Sequence, residues 1–347
     1  MKKILIIGFG GTIAMIVDEK RKALVPAKNV EEILNLVPAI KQLAQIDFKD
    51  LENLDSTNVN PTHWTKLALY ISQNIEQYDG FIVTHGTNTL AYTASALAIA
   101  LGRGLKKPVV ITGSQLPLVN IGTDARFNLE NAVKVVLKAV EKQIAEVMIV
   151  FSDLILRGCR SVKVSESDFR AFFSHSVDPL GRIRSTGIYF GSEALRADPA
   201  IPFEVTPHFE QGVLTIDLTP GQNPALIYEV LKSGKCKGII LKSHGAGSVP
   251  SLNEYSFLPL IRESVHHFQI PVLVSTKFLG GNAYKEVNDE PAVEAIEAGA
   301  ISTGDLTDVM AEVKLMWLLA KGIRKHEDLR REISRNYIEE VTPFWSE

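Results

Sequence analysis

Short, unbroken apolar runs, each about the length of one strand, recur along this chain and alternate with amphipathic helical stretches. The clearest runs are residues 3–7, 81–84, 109–112 and 147–151, followed by 238–242 and 271–275, with a strand-length stretch at 214–218 that alternates with polar Thr215 and Asp217. A strand without polar alternation is covered on both faces, and parallel neighbours need a crossover. The pattern therefore predicts an α/β fold with a mostly parallel sheet flanked by helices. Some helical stretches carry start signals. Asn29 and Glu32 have capping-box spacing, and Asn60-Pro61 offers a cap followed by proline at the first helical position. Residues 195–212, with Pro199, Pro202 and Pro207, break the rhythm. They read as a linker between a larger N-terminal domain, 1–194, and a smaller C-terminal α/β domain, 213–347. With 347 residues and 46% hydrophobic content there is material for two cores.

Composition removes several classes of function. The formal net charge is −3 and no basic stripe is present, so nucleic-acid binding has little electrostatic support. No segment reaches the roughly 18–20 apolar residues of a membrane span. The first apolar run is shorter than the roughly 7–15 residues of a signal-peptide core, and glycines interrupt it from Gly8 to Gly11. Cys159 and Cys236 are isolated, with neither metal-ligand spacing nor a disulfide framework. The expectation is a cytoplasmic protein with a small-molecule site at the ends of parallel strands.

Two glycine turns follow predicted strands. The first is Gly8-Phe9-Gly10-Gly11-Thr12. A dinucleotide fingerprint needs glycine where Ile13 stands, and no Gly-Lys-Ser/Thr follows for a phosphate loop. Two readings stay open: a turn that presents the Thr12 hydroxyl at a strand end, or a plain strand-to-helix turn. Residues 15–26 are charged and read as a mobile loop over a site. The second turn is Thr84-His85-Gly86-Thr87-Asn88-Thr89. Thr87 and Asn88 are expected at a helix N-terminus, where free N–H groups favour a negative oxygen. Alternatively one of them only caps the helix. His85 reads as structural. A threonine hydroxyl needs an activating base. Lys163, if desolvated, is a candidate, although by residue type alone a lysine is a surface charge.

These stretches together resemble a known family. Gly10-Gly11-Thr12-Ile13-Ala14, Asp55-Ser56, Thr84 to Thr89, Thr112-Gly113-Ser114-Gln115 and Lys163 occur in the order and spacing of the bacterial-type L-asparaginases. Arg157-Gly158 and residues 299–305 agree as well, and the chain looks most like the cytoplasmic type I branch. The resemblance implies two α/β domains, a homodimer or homotetramer, and hydrolysis of L-asparagine to L-aspartate and ammonia without cofactor or metal. By resemblance, Thr12 is the nucleophile of a covalent acyl-enzyme, and Thr87 works in a relay with Lys163. Ser56 helps hold the substrate α-carboxylate. Gly11, Asp55, Gly86, Thr87 and Asn88 complete the substrate site, and residues 15–26 match the family's closing lid. The amidotransferase component that shares this fold carries an extra N-terminal domain. A first strand starting at Lys2 or Lys3 and the acidic chain favour the asparaginase.

The chain departs from the family at three places. Asn88 stands where the family has an aspartate that pairs with the substrate α-ammonium. Loss of a charge-assisted bond in a desolvated site costs roughly 1.5–3 kcal/mol. It also predicts a lower pKa for Lys163. In the lid, Leu24 occupies a place where many relatives have tyrosine. Residues 243–248, Ser-His-Gly-Ala-Gly-Ser, replace a tyrosine and an asparagine usual in type I enzymes. Three readings follow: an asparaginase with weakened substrate binding, an amidohydrolase for an amide lacking a free α-ammonium, or a non-catalytic ligand-binding relative.

Overall fold

The computed structural model describes residues 1–18, 23–26, 37–283 and 289–343. The chain forms two compact units, residues 1–207 and 208–347. The first unit begins with β1 (Lys3–Gly8), a hairpin of β2 (Met15–Asp18) and β3 (Ala23–Pro26), and β4 (Gln45–Asp50). Then come α1 (Pro61–Gln73), β5 (Gly80–Thr84), α2 (Leu90–Leu101), β6 (Val109–Thr112) and α3 (Ala125–Glu141). The unit continues with β7 (Val147–Phe151), β8 (Leu154–Arg157), β9 (Ser161–Lys163), β10 (Phe172–Ser174), β11 (Gly181–Arg184) and β12 (Gly187–Phe190).

Eight strands make one sheet in the order β12-β11-β8-β7-β6-β5-β1-β4. From β4 to β7 every pairing is parallel; β8, β11 and β12 extend the sheet antiparallel. The lack of alternation in the apolar runs has the expected cause. Ile4, Ile6, Ile82, Val110, Met148 and Val150 pack with Leu129, Val133 and Val136 of α3. The intervening Leu5, Ile7, Phe81, Val83 and Ile111 are equally buried on the opposite face. Helix α2 is buried at every position but Tyr92, with Thr93 and Ser95 as polar residues among apolar ones. Asn60 caps α1, accepting from the Thr62 N–H, while His63 Nδ1 accepts from the Asn60 N–H, with Pro61 at the first helical position. The Asn29/Glu32 pair lies outside the described residues.

The segment expected as a linker is stitched to the first unit as far as residue 207. Lys106 Nζ donates to the Asp198 and Ile201 carbonyls at 2.6 and 2.5 Å, and the Thr206 N–H donates to the Ala100 carbonyl. A buried Arg157–Glu146 ion pair at 3.0 Å anchors its start, because Glu146 also accepts from the Leu195 N–H.

The second unit holds β13 (Val213–Asp217), α4 (Ala225–Lys232), β14 (Gly238–Ser243), α5 (Leu258–His266) and β15 (Val272–Thr276). It ends with α6 (Glu290–Glu297), β16 (Ile301–Ser302), α7 (Asp308–Ala320) and α8 (His326–Ser334). Its four strands are parallel in the order β13-β14-β15-β16. Among the described residues, no helix is long and apolar enough to cross a membrane.

Candidate active site

Register gathers the site. Gly8, at the end of β1, lies opposite both Asp50 of β4 and Thr84 of β5, and Thr84 lies opposite Thr112 of β6. Four loops therefore leave the carboxyl edge side by side. The chain passes from β1 to β4 on one side and returns to β5 on the other, so a crevice opens between the loops after β1 and β5. Those two loops carry Thr12 and Thr87.

The loops touch so closely that only glycine fits. Gly11 has φ +94°, and a methyl group placed on it would lie 2.3 Å from the Gly86 nitrogen. A methyl group on Gly86 would lie 2.6 Å from Ser56 Oγ. Asp55 caps the short turn Ser56–Asn58 by accepting from the Thr57 N–H at 2.8 Å, which buries Ser56. Thr89 ties this turn to the next loop, donating to the Ser56 carbonyl at 2.7 Å. The cap of α2 is Thr89, so Thr87 and Asn88 lie in the turn just before the helix and neither is its cap. Among the described residues, the N–H groups of Gly86 and Thr87 donate to no protein acceptor. They are free to bind an anionic oxygen.

A hydrogen-bonded chain sets the Gly86 peptide. Trp64 Nε1–H donates to Thr93 Oγ1 at 3.2 Å, and Thr93 Oγ1 meets His85 Nε2 at 2.8 Å. His85 Nδ1 meets the Gly86 carbonyl at 2.8 Å. A carbonyl only accepts, so Nδ1 carries a proton. Complete burial disfavours a second one, lowering the His85 pKa to about 4, so the imidazole is neutral near pH 7. Its ring also stacks on Phe9 at 5.5 Å. His85 is thus structural.

Lys163 arrives from β9, next to Phe172 of β10. Its Nζ donates to Thr87 Oγ1 at 2.9 Å and to Asn88 Oδ1 at 3.0 Å. Burial lowers the Lys163 pKa from the usual lysine value, and the nearby Glu166 charge opposes that shift. Desolvation is the leading cause, separate from the effect expected of Asn88. Once Nζ loses a proton, the same 2.9 Å contact lets it accept the Thr87 hydroxyl proton.

Thr12, Thr87, Asn88, Lys163, Ser56 and Asp55 share one cavity of about 330 Å³, together with Gly11 and Gly86. Leu24 is on β3 opposite Val17, so the stretch expected as a mobile loop contains a β-hairpin; residues 19–22 and the Leu24 side chain lie outside the described residues. The cavity also brings in Gln115, Glu166 and Ser167, which sequence reasoning missed. Gln115 lies within a motif that the resemblance used, but nothing in sequence joins it to residues 166–167. The link is spatial: Gln115 Nε2 donates to the Asp168 carbonyl at 2.9 Å.

Known proteins resemble this chain along nearly its whole length. The family model for the asparaginase N-terminal region matches residues 3–196, and that for the glutaminase/asparaginase C-terminal domain matches residues 212–332. An L-asparaginase of Thermococcus kodakarensis is 32% identical over 98% of this chain and 99% of its own length. A glutamyl-tRNA(Gln) amidotransferase subunit of Pyrococcus abyssi is 31% identical over 99% of this chain and 78% of its own. In structure, L-asparaginase I of Vibrio cholerae superposes with a TM-score of 0.85 at 29% identity, covering 98% of this chain and 99% of that one. With both family regions matched in order and relatives aligned nearly end to end, the chain belongs to the asparaginase family of amidohydrolases.

Proposed function

We propose that this protein hydrolyses L-asparagine to L-aspartate and ammonia, with Thr12 as nucleophile. The observation that carries the reading is the 2.9 Å contact between Lys163 Nζ and Thr87 Oγ1 in the cavity that also holds Thr12. Thr12 Oγ attacks the side-chain amide carbon, and its proton passes to the Thr87–Lys163 pair. The free N–H groups of Gly86 and Thr87 stabilise the tetrahedral oxyanion. The C–N bond breaks, the leaving nitrogen takes the proton and departs as ammonia, and an acyl ester remains on Thr12. Water, activated through Thr87 and Lys163, hydrolyses that ester. Ser56 and neighbouring N–H groups hold the substrate α-carboxylate. The protein works in the cytoplasm as a homodimer or homotetramer.

Ammonia release from L-asparagine at near-neutral pH tests this. Parent protein is expected to turn over and Thr12→Ala to lose at least about a thousandfold in kcat, the scale of removing a nucleophile. Silence of the parent protein with turnover by Asn88→Asp would leave the framework intact and assign the silence to one missing carboxylate. Silence of both would remove the asparaginase reading. The comparable likeness to the amidotransferase of Pyrococcus abyssi supports a second reading, as one component of such an amidotransferase. Turnover of free L-asparagine by the chain alone favours the first.

A further inference from the structure

Asn88 leaves the site without the carboxylate that a substrate α-ammonium would face. Its amide oxygen is held by Lys163 at 3.0 Å, and its Nδ2 points to Thr57 Oγ1 at 3.4 Å. An ammonium beside that oxygen would meet a cation with no compensating charge on Asn88. The cavity has three charged side chains on its wall: Lys163, Asp55 and Glu166. Asp55 spends one oxygen capping the Ser56 turn. Glu166 differs: its carboxylate has no hydrogen-bond or ion-pair partner among the described residues.

The loop that carries Glu166 is tethered. The Val164 N–H donates to the Ala171 carbonyl at 2.8 Å. Ser165 Oγ accepts from the N–H groups of Ser167 and Asp168 at 3.3 and 3.0 Å. Gln115 holds the Asp168 carbonyl from across the cavity. Glu166 thus sits three residues beyond Lys163 on a fixed turn, with its charge within electrostatic reach of Nζ.

We propose, resting on the asparagine reading above, that Glu166 supplies the negative charge for the substrate α-ammonium in place of the residue at position 88. The charge has moved from the turn after β5 to the β9–β10 loop. Glu166 is then a specificity-determining residue that selects amides bearing a free α-ammonium.

The test compares L-asparagine with succinamic acid, which has the same skeleton without the amino group, at one fixed pH. Any effect of Glu166 on Lys163 acts on both substrates and cancels in their ratio. Glu166→Gln is expected to lower the asparagine-to-succinamate ratio of kcat/KM about fivefold, through KM for asparagine, as expected for an exposed charged contact. Glu166→Asp should keep part of the preference, and Asn88→Asp added to Glu166→Gln should restore it. An unchanged ratio in Glu166→Gln overturns the proposal while parent turnover keeps the asparaginase reading. Calorimetric binding of L-aspartate and succinate separates the two ideas if the parent protein is silent. Preference for L-aspartate that is lost in Glu166→Gln supports the proposal without catalysis. No such preference, or binding of neither, overturns it.

Discussion

Asn88 puts a neutral oxygen 3.0 Å from Lys163 Nζ, where a carboxylate would hold the ammonium charged. Asn88→Asp adds that charge beside the one from Glu166, and Asp55 lies on the same wall. An opposite charge at this distance raises a lysine pKa. Less neutral Lys163 then exists at a given pH. The acidic, rising limb of the kcat profile is expected to move to higher pH in Asn88→Asp, while KM for L-asparagine falls; a pH series on both proteins reads it. His85 acts in the other direction, on stability. Its folded pKa of about 4 lies below the ordinary 6.5. Between those values the unfolded chain binds a proton that the fold refuses, so stability falls as pH drops from 6.5 towards 4. Unfolding midpoints measured across that window should show the slope in the parent protein and a shallower one in His85→Gln.

At the scale of elements, α7 holds the C-terminal segment through one buried side chain. Lys314 and Glu340 pair at 2.6 Å, both fully inaccessible. Lys314 also donates to the Ile333 and Arg335 carbonyls, and Glu340 accepts from the Tyr337 and Ile338 N–H groups. Lys314→Ala strands the Glu340 carboxylate and is expected to cost about 3–5 kcal/mol, read from denaturant midpoints. Lys314→Met with Glu340→Gln should recover part of that loss. What the sequence made legible follows from burial. Strands such as Val109–Thr112, covered on both faces, are unbroken apolar runs and were readable to within a residue. Gln45–Asp50 and Gly181–Arg184 are only partly buried and carry polar side chains, so no apolar run marks them. Thr12, Thr87 and Lys163 were legible because motifs surround them. Glu166 was not, because a lone glutamate on a polar turn has no signature until Gln115 reaches its loop.

For the whole molecule, the boundary between the units is a matter of stability. Residues 195–207 supply acceptors to Lys106 and a donor to the Ala100 carbonyl, all within the first unit. A fragment ending at residue 194 leaves those groups, and the Glu146 oxygen that accepts from Leu195, without partners. Such a fragment is expected to melt below one ending at residue 207, as circular dichroism on the pair would show. The chain has three tryptophans. Trp64 is in the first unit and Trp317 in the second, edge-on to Tyr337 at 5.1 Å; Trp345 lies outside the described residues. The hydrogen-bond chain from Trp64 through Thr93 and His85 to Gly86 has a consequence beyond architecture. The indole is wired to the Gly86 peptide at the cavity wall, so occupation of the crevice is expected to shift the ultraviolet emission of Trp64, with Trp317 as a second emitter in the other unit.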